Sequence, residues 1–464
     1  MASRALVALI ACATLQLSGC SVFRSYESEL SETSQHLSAG NVDGALALLE
    51  KNNTSEDKDL LYYLEKGELL RSKGDLAGSQ QAWQAADRIV FEWEESVKAD
   101  PQKYLGQFAS FLVNDKVRRY EGYDYEKVML TTQMALNDLA VNDFDAARTE
   151  IKKTHEREAL IADLRDKEYL KREEEAEKQG VTTQLKDLQG YPVASLDAPE
   201  VVSLKNSYQS AFSHYLSGFV YEALGEKGLA APGYRRAAEL RPNVPVLEQA
   251  LLDLDSSAAR TEGESEVLLV VQAGLAPARD SMRIPLPLPL NSGLVVSTVS
   301  FPLLKADTST AVIDSLSLDG KSVGLTEISN VEIMSRRALR DDMPGIILRT
   351  TVRAVSRGVA QKQLNDNVSP LAGLAVGLMS VATEGADERT WRTLPDSIQI
   401  ARVRLPKGEH QLSLPASVGG GQVNLKVEQN YQVIPLRVVG NQVFTQGTTA
   451  SVKAPVVQAV ASNP

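Results

Sequence analysis

Cysteine is nearly missing: 464 residues carry two, Cys12 and Cys20. Both lie near the start, so the body of the chain must hold together by burial rather than by disulfides. Histidine is scarce too. His36, His155, His214 and His410 share no metal-ligand spacing, so neither a zinc site nor any other metal is assigned. No Gly-x-Ser-x-Gly, phosphate-binding loop or dinucleotide fingerprint occurs. The 60 Asp and Glu residues are scattered, and no catalytic pair stands out. No cofactor or catalytic residue is assigned, and the chain is not read as an enzyme. The formal net charge is −11 without a strongly basic block, which argues against nucleic acid and general anionic-lipid binding. Long apolar runs are missing as well. Ala5–Gln16 and Leu371–Ala382 are twelve residues each. As a helix, either is about 18 Å long against a hydrocarbon core of about 30 Å.

What is present begins with Ala211 to Pro242. Counting Ala211 as the first position, Gly218 is the eighth, Tyr221 the eleventh and Gly225 the fifteenth. Ala230 is the twentieth, Tyr234 the twenty-fourth, Ala237 the twenty-seventh and Pro242 the thirty-second. This resembles one tetratricopeptide repeat (TPR). Gly218 and Ala230 let two helices approach, and Tyr221 and Tyr234 fill the gap between repeats. Gly225 ends the first helix at positive φ and Pro242 ends the second. One repeat cannot bury its apolar face alone, so neighbours are expected. Gly40, with Ala45 and Leu49, marks a first, degenerate unit. Gly74 follows 34 residues on, with Gly67, Leu70, Trp83 and Ala86 in phase. Asn142 lies 68 residues beyond Gly74, with Ala135, Ala147 and Ile151 in phase. The reading is four TPR-like units over 29–259, with irregular insertions near 91–125 and 155–199.

The first residues resemble a bacterial lipoprotein signal. Arg4 precedes the short apolar run, and Leu17-Ser18-Gly19-Cys20 forms the cleavage box. The resemblance implies removal of 1–19, acylation of Cys20 (palmitate among the chains) and a tether over 20–28. Ser21 after the cysteine implies sorting to the outer membrane, facing the periplasm.

Two polar-aromatic clusters stand out. Arg118, Arg119, Tyr120, Glu121, Tyr123, Tyr125 and Glu126 crowd into nine residues. They suit a partner-recognition patch, since Tyr and Arg are enriched at hot spots, or a helix-to-helix turn whose tyrosines pack inward. Asp387 and Arg389 beside Trp391 suit a glycan site with Trp391 as stacking platform, or a buried tryptophan with an ion pair fixing a loop. Arg165–Lys178 is charged nearly all round and reads as a solvated helix end stopped by Gly180.

After Thr261-Glu262-Gly263 the pattern changes to Val, Thr and alternation. A β-rich, β-sandwich-like domain is expected over 264–453, with a helical insertion at about 329–383 and a loose tail over 454–464. Expected strands include Glu266–Gln272, Leu294–Phe301 and Ala311–Leu318, with Asp319-Gly320 as a two-residue hairpin turn. Ile284–Leu290 has proline at alternate positions and reads as an extended crossing or edge segment. Pro344 is read as the first residue of a new helix capped by Asp341 or Asp342. Leu371–Ala382 is read as a buried helix.

The cleavage box, the repeat units, Glu121–Met129 and Trp391–Pro395 ahead of a closing β region resemble a family of TPR-containing bacterial lipoproteins without assigned activity. The resemblance implies cell-envelope company. The functional expectation is a lipid-anchored periplasmic scaffold whose repeats bind an envelope protein in their concave face. The rival is glycan (peptidoglycan or polysaccharide) binding or processing through the β-rich domain.

Overall fold

The computed structural model describes residues 25–101, 119–181, 183–185, 188, 190–255, 263–290, 293–367, 385–446 and 450–452. The signal, Cys20, Arg118, Leu371–Ala382 and the tail lie outside them. The architecture is a helical N-terminal region followed by a β-rich region carrying one long inserted helix.

Four helix pairs make up the helical layer: α1 (Tyr26–Ser38) with α2 (Val42–Asn52), α3 (Leu60–Ser72) with α4 (Leu76–Ala99), α5 (Asp124–Ala140) with α6 (Phe144–Gln179), and α8 (Ala211–Ala223) with α9 (Lys227–Leu240). Among the described residues, the one-turn α7 (Pro199–Val202) and the closing α10 (Pro245–Asp255) join them. The same turn joins each pair. Gly40, Gly74, Asn142 and Gly225 hold φ of 77°, 87°, 62° and 78°, a region glycine and asparagine enter at least cost. The next residue's N–H reaches back into the first helix: Asn41 to His36, Asp75 to Leu70 and Asp143 to Asp138 at 2.9 Å, and Glu226 to Tyr221 at 2.8 Å. Asn41, Asp75 and Asp143 then cap the second helix with their side chains. One short side chain thus follows a closing turn and opens the next helix.

Close packing inside each pair needs small residues. A Cβ at Gly67 would meet the Trp83 ring at 2.1 Å, and one at Gly218 would meet the Tyr234 ring at 2.5 Å. Trp83 and Tyr234 are themselves without exposure, so neither ring can swing away.

The β-rich region holds two five-stranded sheets. The first runs β11 (Gln442–Thr445), β10 (Tyr431–Val439), β1 (Glu264–Ala273), β7 (Ser397–Pro406), β6 (Thr326–Asn330), with β1 and β10 parallel. The second runs β12 (Ala450–Val452), β9 (Gln422–Val427), β8 (Gly408–Ser413), β4 (Ser315–Leu318), β5 (Lys321–Gly324). Strand β4 is shorter than the expected Ala311–Leu318, and Asp319-Gly320 turns it into β5 with both residues at positive φ. Strands β2 (Ala278–Leu290) and β3 (Gly293–Lys305) form a separate two-stranded ribbon. Pro285, Pro287 and Pro289 sit at alternate positions of β2, where the missing N–H points away from its one partner.

Strand β1 is buried on both faces. Val267, Leu269 and Val271 pack into the core between the two sheets. Leu268 and Val270 join Ile398, Ile400 and Val433 in the core of the helical layer. At about 2 kcal/mol for each buried aliphatic chain, those five contribute roughly 10 kcal/mol as an upper figure. The helical layer is therefore not a free-standing solenoid.

Two local readings change. Pro344 does not open a helix, because α11 runs unbroken from Val331 to Asn367 with Pro344 inside it. Asp342 is not a cap there; it pairs with Arg165 and Arg172 of α6 at 3.4 and 3.2 Å. By the same contacts, the charged stretch of α6 is not wholly solvated. Arg165 and Glu168 turn inward toward α5 and α11, while Tyr169 and Leu170 stay exposed.

Candidate functional site

The first helices of the repeat pairs, α3 and α5, are built from Leu, Tyr and Met runs interrupted by Glu65, Glu68, Glu126 and Gln133. All four polar residues are buried, so each needs a partner. Glu68 meets Arg437 of β10 at 2.9 Å, and Gln133 accepts from Gln272 of β1 at 2.8 Å. For Glu65 and Glu126 the partner is an irregular segment of the β-rich half, Ala386 to Asp396. Glu126 accepts from the Trp391 N–H at 2.7 Å and from Thr390 Oγ1 at 3.1 Å. Its other oxygen accepts from the Tyr123 N–H at 2.9 Å and from the Tyr120 hydroxyl. Glu65 accepts from the Arg392 N–H at 2.5 Å and from Thr393 Oγ1 at 2.6 Å. Burial pushes both carboxyls up, that of Glu65 to about 7, with the hydrogen bonds opposing. Trp391 sits edge-on to Trp83 at 5.9 Å. Two carboxylates and the Trp83 indole thus hold an irregular, turning segment of the same chain, the carboxylates by its main-chain N–H groups.

Beside this clamp lies a cavity of about 160 Å³. It brings together the two clusters that stood 260 residues apart in the reading of the sequence: Arg119 to Tyr123 on one side, Asp387 and Arg389 on the other. Among the described residues, seven cationic side chains and three carboxylates line it. Arg389 forks onto Asp387 from Nε and Nη2, both at 2.8 Å, and stands 5.3 Å over the Tyr120 ring. Arg165 bonds Asp124 at 2.5 Å and Glu168 at 2.6 Å. Lys127 lies 3.6 Å over the Trp93 ring and 3.4 Å from Asp124. Burial acts upward on Asp124 and Asp342, yet their arginine neighbours outweigh it and hold both carboxyls below the usual range.

The individual placements differ from a surface patch. Tyr120, Tyr125 and Glu126 are buried, Tyr123 and Glu121 are half-buried, and Arg119 is exposed beside Glu92 at 3.7 Å. Tyr123 and Tyr125 stack at 5.8 Å. Trp391 has no exposure and cannot offer its face to a sugar. The repeat residues Ala135, Tyr221 and Ala230 are buried in the helical layer with Gly67 and Trp83. Gly74 and Gly225 hold the turns, and Pro242 follows the end of α9. Sequence reasoning passed over Glu65, Arg172 and Arg279. Glu65 had a signal: with Glu68 and Arg71 it recurs every third residue along a Leu-rich helix. Arg279, within the ribbon, had none. Among the described residues, no group of three or more His, Cys, Asp or Glu is arranged to hold a metal, and no helix is long and apolar enough to cross a membrane.

No family model and no curated protein matches this chain. Among solved structures, a tetratricopeptide repeat protein from Parabacteroides merdae ATCC 43184 is similar over 49% of this chain and 98% of that one, at 14% identity and a TM-score of 0.14. A likeness so slight carries no argument here. The repeat character stands on the four helix pairs and their shared turn.

Proposed function

We propose that the chain is a non-catalytic adaptor of the cell envelope, anchored to the outer membrane through acylated Cys20 and engaging an envelope protein through its repeat layer. The observation that supports this reading is the clamp. The repeat layer holds an irregular peptide segment through side chain to main chain hydrogen bonds, which is peptide recognition carried out within one chain. Because Ala386–Asp396 and the first sheet cover the face lined by α3 and α5, a partner is met on the surfaces left open. Phe91, Tyr169 and Leu229 are large apolar residues exposed there, at 55%, 61% and 51%.

The test uses the whole chain, since the halves share a core. A photo-crosslinking side chain is placed in cells at Phe91, Tyr169 or Leu229, and as a control at Val312 in the β-rich half, which is 77% exposed. The reading expects one envelope protein captured from the helical positions and not from Val312. Equal labelling from all four positions, or none from the helices, rejects it. A glycan-binding reading through Trp391 is not carried forward, given its burial against Trp83.

A further inference from the structure

We propose that the arginine-lined cavity beside the clamp is a binding site for a phosphoryl group. Arg279 carries the argument. It is 5% exposed and lines the cavity, stacked over the Tyr123 ring at 4.5 Å. Its Nε donates to the main-chain oxygen of Asp387 at 3.0 Å. No carboxylate lies within ion-pair distance of it among the described residues. Asp387 and Asp342 favour its charge from beyond contact, but a guanidinium withdrawn from water with no carboxylate against it keeps an unfilled fork, and stacking on one ring adds only about 2 kcal/mol. Its neighbours are served differently. Arg389 has its own carboxylate fork, and Arg165 reaches Asp124, Glu168 and Asp342.

A second group points the same way. Arg172 gives its terminal nitrogens to Glu168 and Asp342, but its Nε is buried with no hydrogen-bond partner among the described residues. Among the described residues the lining is cationic, seven side chains against three carboxylates, and Asp124 and Glu168 behind it narrow that gap without closing it. The chain as a whole is acidic, at −11, so a cationic cavity runs against its composition.

The geometry selects the ligand. Arg172, Arg279, Arg349 and Arg389 come from α6, β2, α11 and the clamp segment, and so approach from different elements. One fork is enough for a carboxylate. A phosphoryl group carries a double negative charge, which a carboxylate does not, and so answers both the Arg279 guanidinium and the cationic surplus of the lining, while the ends of Arg172 and Arg389 stay on Glu168, Asp342 and Asp387. Room is adequate: a single water needs about 10–15 Å³ by the same measure, against about 160 Å³ here. The phosphoryl group can belong to a soluble ester or to a lipid headgroup, and the chemistry of recognition is the same.

Calorimetric titration of the full chain decides the matter. The probes are inorganic phosphate and pyrophosphate, at ionic strength matched with chloride, and phosphatidic acid vesicles against pure phosphatidylcholine. The proposal expects saturable binding to the soluble phosphates or to the phosphatidic acid vesicles, weakened at least about tenfold in Arg279→Met. A response to the soluble probes identifies a soluble ester, and a response to the acidic vesicles alone identifies a headgroup. Ligand-free unfolding of Arg279→Met provides the fold check: removing a buried cation that has no carboxylate in contact should leave the chain folded, with a midpoint close to that of wild type. Should that variant unfold, Arg279→Lys keeps the charge without the fork and should bind more weakly than wild type. Binding of no phosphate above the chloride control overturns the proposal, and so does binding unchanged in both Arg279 variants.

Discussion

Replacing Glu126 by Ala would test the clamp most directly. Glu126 is 1% exposed and accepts from two main-chain N–H groups and two hydroxyls. The hydroxyls of Tyr120 and Thr390 can rotate toward other acceptors. The N–H groups of Trp391 and Tyr123 cannot. An unsatisfied buried donor costs about 1–3 kcal/mol. Trp391 is without exposure and takes the upper part of that range, whereas Tyr123 is half-buried and takes the lower. Removing a buried carboxylate gives some of this back, since burial already disfavours its charge. The expected loss is about 3 kcal/mol for Glu126→Ala. For Glu126→Gln it is about 1 kcal/mol, because the amide keeps one acceptor in place and fills the same volume. Urea unfolding followed by tryptophan fluorescence is the assay. The chain has three tryptophans, and two of them, Trp83 and Trp391, meet at this clamp. The reasoning is refuted if Glu126→Ala unfolds within about 0.5 kcal/mol of wild type, or if Gln costs more than Ala.

Three further expectations follow from the same structure. Burial raises Glu65, Asp138 and Asp396 from the ordinary carboxylate range, each to about 7. Between those limits the folded chain holds more protons than the unfolded one, so these groups make stability fall as pH rises toward about 7. His155, lowered by burial and by His214, acts the other way, and Asp87, Asp124 and Asp342, held low by arginines, lose their contribution only in stronger acid. Urea midpoints should therefore be higher at pH 5.5 than at pH 8, and the reverse order contradicts the assignment. Gly67→Ala should destabilise by about 1–3 kcal/mol, because its new methyl meets the immovable Trp83 ring, whereas Gly228→Ala, exposed with no atom within 4 Å, should be neutral or gain about 0.5 kcal/mol; equal effects in denaturant melts would reject the packing account. Cys20→Ala should leave the protein unanchored or unprocessed, and its recovery at wild-type level in the outer-membrane fraction would contradict acylation at that residue.

Local chemistry alone determined the repeat units and the change to a β-rich region. Turn residues such as Gly40, Gly74, Asn142 and Gly225 act through their own φ, and the Asp319-Gly320 hairpin does the same. Such features need only neighbours a few residues away, so spacing reveals them. Long-range partners are another matter. Nothing near Pro344 in the chain announces that α11 continues through it, because Asp342 is held there by arginines of α6. Likewise, Tyr120–Glu126 and Asp387–Trp391 each left two readings open in the sequence, an exposed recognition patch or an inward-packed turn and ion pair, and gave no sign of each other. Only the packing of β1 against α3 and α5 brought them to one clamp and one cavity, turning Trp391 inward and leaving Arg279 buried beside Tyr123. A residue's type states what it needs, whether a donor, a counter-charge or an apolar wall. Which group supplies it is decided by the tertiary structure, since partners more than 260 residues apart leave no trace in local spacing.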